Sequence, residues 1–213
     1  MATAVRRGGV PPMLAGMPLR TFRAHHAEQA YAHPRPQLAR LVRSGALHRI
    51  ARGYYIVVPQ EHVGSRWMPS LEAAAAGIAA ADFGVRNAPL MGPSAARMHG
   101  AIPRALAAAV VAAPTQRNSI PLLDRAAVIQ FVKRDTGRLD VEAVSTELGR
   151  ALVTSVEQTV LDLARRPSLG DAADEVRDAV RALLPRCDQA ILDELADKQS
   201  LRSALRRASE WAA

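Results

Sequence analysis

Five arginines stand where their chemistry could act together. Arg35, Arg40 and Arg43 fall in one short patterned segment, and Arg49 and Arg52 follow directly, with no acid between residues 29 and 60. A guanidinium is a flat, permanently charged fork that matches phosphate oxygens or the O6/N7 edge of guanine. Gln37 in the same segment could pair with adenine. Gly53, next to Arg52, would let a tight turn come close to a phosphate or a groove wall. The chemistry these residues imply is recognition of double-stranded DNA.

The charge distribution agrees. The chain has 213 residues, 28 basic and 20 acidic, for a net charge of +8. Residues 1–60 hold nine arginines against a single acid, Glu28, so the entire net charge lies there. The remaining 19 basic and 19 acidic residues cancel. A basic segment joined to a neutral one implies an anionic partner for the first part only.

Residue types needed for other chemistries are missing from the sequence. There is no phosphate-cradling Gly-rich loop, dinucleotide fingerprint, HExxH pair or G-x-S-x-G elbow. His25 and His26 are adjacent and would diverge by about 100° on a helix. One cysteine, Cys187, allows no internal disulfide and fits a reducing cytoplasm. A metal-dependent nuclease needs converging acids and usually a lysine. The two lysines are Lys133 and Lys198; Asp193, Glu194 and Asp197 near the second lie on one surface helix, and Asp162 stands alone in a structural role. No catalytic residue, cofactor or metal is expected. Pro11, Pro12 and Pro18 interrupt the only stretch resembling an export signal, and no window approaches the ~20 apolar residues of a membrane helix.

The arginines need elements to hold them. Residues 1–18, rich in Gly and Pro, read as a mobile arm with at most one short turn. Thr21 is expected to cap a helix from Phe22 to Ala32 that buries Phe22, Ala27, Ala30 and Tyr31. Pro34 and Pro36 suit the first turn of a second helix, to about Ser44. Leu38, Leu41 and Val42 are its buried stripe, Arg40 and Arg43 its outer face, and Gly45 its stop. Leu47–Ile50 and Tyr54–Val58 flank Ala51-Arg52-Gly53 as a hairpin. Helix, turn, helix and hairpin is the order of a winged helix-turn-helix, whose second helix enters the major groove.

Residues 60–68 read as a linker. Ser70 would cap a helix to about Asp82, and another short helix spans Pro93 to His99. Strands are expected over Leu106–Ala113, Val128–Val132, Val141–Glu147 and Leu152-Val153. Thr154 and Glu157 have capping-box spacing for a helix closed by Pro167. Three apolar patterns then mark helices, the last from Leu201 to Trp211. The fold class is α+β: a winged helix-turn-helix over 1–60, and a second domain over 69–213 with a small sheet packed by helices.

Two segments resemble a known family. Gln37–Leu47 with Arg49–Ile56, and far downstream Leu152-Val153-Thr154-Ser155-Val156-Glu157-Gln158-Thr159-Val160-Leu161-Asp162-Leu163-Ala164, are similar to motifs of AbiEi-type antitoxins. Pro93-Ser94-Ala95-Ala96 through His99-Gly100 is similar to a third, with its first histidine missing. The resemblance implies the antitoxin half of a two-gene toxin–antitoxin pair. Its winged helix would repress the pair's own promoter, often at inverted repeats, and its second domain would counteract a nucleotidyltransferase-like toxin. A stand-alone winged-helix regulator with a ligand-sensing or assembly domain is the alternative.

Overall fold

The structure, a computed structural model, describes residues 9–212. It is a mixed α+β chain in which small sheets pack against helices.

The N-terminal part comprises α1 (Pro12–Ala15), β1 (Thr21–Arg23), a 3-10 segment (Ala24–Gln29), α2 (Pro34–Arg43), β2 (Leu47–Ala51) and β3 (Tyr54–Val57). The second helix and the hairpin form as expected. Proline opens α2 where a missing N–H costs nothing, Leu38 and Leu41 are buried beneath it, and Gly45 follows its end. Gly53 at the hairpin tip has φ +84°, a conformation that needs glycine.

Two expectations are corrected. Thr21 does not cap a helix: Thr21–Arg23 is a strand paired antiparallel with β3, giving the sheet order β1-β3-β2. The Thr21 hydroxyl donates instead to the Leu19 carbonyl at 2.7 Å. The helical residues that follow make only a 3-10 segment, whose first turn is capped by His26 Nδ1 accepting from Arg23 N–H at 3.1 Å. Phe22 and Ala27 are nonetheless buried together, as the apolar pattern required. The arm is the second case. Residues 1–8 lie outside the described residues, but Pro12–Ala15 forms the one short turn, and the segment is anchored by Leu14, fully buried in one cluster with Phe22, Leu38 and Leu41, and by Leu19, buried in the cluster of α3.

The rest of the chain is built around α3 (Leu71–Phe83), capped by Ser70 Oγ accepting from Ala73 N–H. Every residue from Leu71 to Ala80 is buried, so this helix has no solvent face. Its alanines let layers close in from all sides. α4 spans Pro93–Met98. β4 (Ala108–Ala113) and β6 (Val128–Lys133) pair in parallel, with β5 (Ile120–Pro121) on the far edge of β6. β7 (Val141–Thr146) and β8 (Gly149–Thr154) form an antiparallel hairpin. Leu90 bridges β4 and β8 and joins the two pairs. The last strand starts at Gly149, three residues before Leu152, because its hairpin partner supplies pairing along the whole length.

Four α-helices follow among the described residues: α5 (Val156–Arg165), α6 (Val176–Leu183), α7 (Gln189–Lys198) and α8 (Arg202–Ala212). The capping box at α5 is shifted by one residue. Ser155 is the cap, accepting from Gln158 N–H at 3.1 Å, while Thr154 pairs with the Thr159 hydroxyl. Glu157 does not cap α5; it accepts from Asp188 N–H at 2.8 Å and ties α5 to the start of α7.

The two halves share one core. The sheet β1-β3-β2 buries Phe22, Leu47 and Val57 on its α2 side. Its other face buries Ile50, Ala51, Tyr54 and Ile56 in the same cluster as α3. Burying each large side chain there contributes roughly 1.5–3 kcal/mol. The approach is close. A Cβ at Gly77 of α3 would lie 3.0 Å from Thr21 Cβ and nearer still to its hydroxyl oxygen.

Candidate nucleic-acid interface

The hairpin tip and α2 enclose a groove whose rim carries Arg35, Arg43, Arg49 and Arg52, with Gly53 at its end. Ala39 and Val42 floor it beside Tyr55. All four arginine side chains belong to exposed residues. Among the described residues none of them has a carboxylate within ion-pairing distance, so their charge faces outward undiminished.

A bulge sets which residues reach this rim. Arg49 pairs with Tyr55, but Ala51 pairs with Tyr54, so Ile50 is an extra residue on β2. The bulge bends the strand. Ile50 and Ala51 can therefore both turn into the core while Arg49 stays on the groove side.

Gln37 and Arg40 are not in this lining. Arg40 Nε donates to Gln37 Oε1 at 3.1 Å on another side of α2, where Arg40 also opposes the burial-driven rise of the Tyr31 pKa. Sequence reasoning placed Arg40 and Arg43 on one outer face; the hairpin covers the Arg35–Ala39–Arg43 side of it. A second cleft, of about 750 Å³, continues around the hairpin tip and shares Arg35 and Arg52. Arg23, His25 and His33 also line it, with Glu28 as its one acid. None of the three is among the residues the sequence offered for DNA contact; Arg23 comes to the cleft through the pairing of β1 with β3. Burial first, then His25 and Arg23, lowers the pKa of His26. A neutral imidazole suits its acceptor role at the 3-10 turn.

The groove is held against α3 by a buried carboxylate. Asp82, whose side chain is 3% exposed, accepts from Tyr54 Oη at 2.7 and 2.9 Å. Arg117 Nη2 lies 2.7 Å from Asp82 Oδ2 and also donates to Tyr54 Oη. Arg23 Nη1 approaches Asp82 Oδ1 at 3.5 Å. Nearby, His48 of β2 meets Asp124 at 2.8 Å, and Leu123 N–H donates to Ile50 C=O at 2.9 Å. Burial alone would raise the Asp124 pKa, but hydrogen bonds from Arg125 and His48 hold it below its usual value.

Burial, followed by the hydrogen bond to Asp82, pushes Tyr54 up to about 12. The raised value means the neutral phenol is the form the fold favours. Its contribution is complete below the ordinary tyrosine pKa near 10 and is lost as pH rises toward 12. An ultraviolet phenolate titration should therefore show one tyrosine ionising near pH 12, absent in Tyr54→Phe. If Tyr54→Phe left the titration curve unchanged, the buried phenol would be misassigned.

Among the described residues, no group of three or more His, Cys, Asp or Glu is placed to hold a metal ion. No described helix is long and apolar enough to cross a membrane. Burial, and then Glu157, pushes Cys187 up to about 12, which keeps the thiol protonated at neutral pH.

Comparison with known proteins bears mainly on the second half of the chain. A family model described as the AbiEi antitoxin C-terminal domain matches residues 87–211. The crystal structure of the RV2827C protein from Mycobacterium tuberculosis is similar in fold, with a TM-score of 0.59 at 16% identity. That similarity covers 98% of this chain and 80% of the other. No curated protein sequence matches.

Proposed function

Because this chain belongs to the AbiEi antitoxin family, we propose that it is a DNA-binding antitoxin that represses its own toxin–antitoxin promoter and counteracts a nucleotidyltransferase-like toxin. Its N-terminal part acts as a winged helix-turn-helix. α2 enters the major groove, and the hairpin tip at Arg52-Gly53 follows the backbone. The observation that carries the DNA-binding reading is the groove between α2 and the hairpin, where Arg35, Arg43, Arg49 and Arg52 converge without an acid. Inverted repeats in the promoter would place two chains on one operator.

The test uses the full chain with DNA from upstream of its own gene. Four phosphate contacts would make log K fall with log salt at a slope of about −4. A slope near zero would remove the DNA reading. Co-expression with the neighbouring gene tests the other half: the chain should restore growth that the neighbour alone arrests. A neighbour harmless on its own would sink the antitoxin role in this pair.

A further inference from the structure

Away from the groove, the C-terminal half holds a second cationic concavity that the DNA-binding reading does not use. It has a volume of about 130 Å³ and is lined by Arg134, Asp135, Arg138, Arg165 and Gln199. From this arrangement we infer a binding site for a phosphate group, carried by a small molecule of the nucleotide class.

The first support is preorganisation. Arg134, only 13% exposed, donates through Nη1 to buried Asp162 Oδ1 at 2.7 Å and through Nη2 to Gln199 Oε1 at 3.2 Å. Arg138 donates to the Lys198 carbonyl at the end of α7, and Gln199 Nε2 donates back to the Arg138 carbonyl at 3.1 Å. Gln158 Nε2 joins at 3.3 Å from both Asp162 Oδ1 and Gln199 Oε1. Two cations are thus fixed before any ligand arrives, which lowers the entropic cost of binding.

The second support is charge. Asp162 offsets Arg134, and Asp135 offsets one more of the three arginines, so the lining stays positive. The Arg165 side chain makes no hydrogen bond or ion pair among the described residues, although it sits at the exposed end of α5 beside the other two. Three guanidinium groups offer more N–H donors than the carboxylates of Asp135 and Asp162 take up, and phosphate oxygens can use the rest.

The third support is extension. A shallower concavity of about 460 Å³ shares Arg134 and Asp135 and adds Lys133 and Thr136. A ligand holding its phosphate among the arginines has room there for a second phosphate or a sugar, with a cation and a hydroxyl to meet it. Asp162 is a positioning residue here: it holds Arg134 in place and has no access to the ligand.

Isothermal titration with inorganic phosphate, and separately with a nucleoside triphosphate, tests this at fixed ionic strength. Arg165→Ala should weaken both by roughly tenfold, the loss of one charge-assisted contact. Arg43→Ala/Arg52→Ala, in the DNA groove, should leave both unchanged, which separates this site from the groove. The Nε–H resonances of Arg134, Arg138 and Arg165 should move on titration. Tighter binding of the triphosphate assigns the site to nucleotides through Lys133 and Thr136; equal binding assigns it to the free oxyanion. Absence of binding by the parent chain overturns the site. So does a loss of DNA affinity in Arg165→Ala with phosphate binding intact, because the arginines would then be serving the DNA backbone.

Discussion

Replacing Arg43 and Arg52 together by alanine should lower affinity for operator DNA by about 100-fold, at ~1.4 kcal/mol for each lost contact. The salt slope should become shallower by about 2, because two fewer phosphates are neutralised. Both side chains are exposed and make no ion pair among the described residues, so the thermal transition should stay where it is. Arg40→Ala is the informative companion. Its guanidinium turns to Gln37, outside the groove, and its effect should be much smaller than that of Arg43→Ala. Fluorescence anisotropy with labelled operator DNA measures all three variants. Equal losses from Arg40→Ala and Arg43→Ala would mean that DNA meets α2 along a different face.

The second large effect is on stability. Asp82→Ala removes the acceptor shared by Tyr54 and Arg117. Breaking a buried ion pair by deleting one partner costs ~3–5 kcal/mol; the lower end applies here because Arg117 keeps some access to water. For a chain of this size that is a fall of about 10 °C in melting temperature. Asp82→Asn, which retains an acceptor of the same shape, should lose less. A calorimetric trace of Asp82→Ala indistinguishable from the parent would show that apolar packing alone holds the sheet to α3.

Both predictions rest on features of unequal visibility in the sequence. α2, the hairpin, α3 and α5 were legible because each carries its own signals: proline at the start, glycine at the stop, a serine cap or an apolar stripe. β1 was not, because its partner Tyr54–Ile56 lies some thirty residues on and nothing local marks Thr21–Arg23 as paired. The same segment could have begun a helix, and the tertiary pairing decided against it. The capping box failed by one residue because Thr154 and Ser155 are both competent caps, and the last pairing of β8 claimed Thr154. The arginine set of the groove was largely visible as a run without acids. Which side of α2 those arginines serve was not, since the hairpin decides it and the bulge at Ile50 sets the hairpin's direction. Asp82 carried no signal at all: a single acid near a helix end looks the same whether it meets solvent or three partners.

The bare Cα of Gly77, pressed against Thr21, bears on how such a protein can change over time. Shuffling a reading head between unrelated bodies requires a seam along which the two come apart cleanly. Here a cut after the hairpin would leave Ile50, Ala51, Tyr54 and Ile56 facing water on one side and the alanine helix stripped on the other. If the groove reads DNA as proposed, new operator preferences arise by point changes on its rim, while the sheet beneath it and α3 are inherited as a single piece.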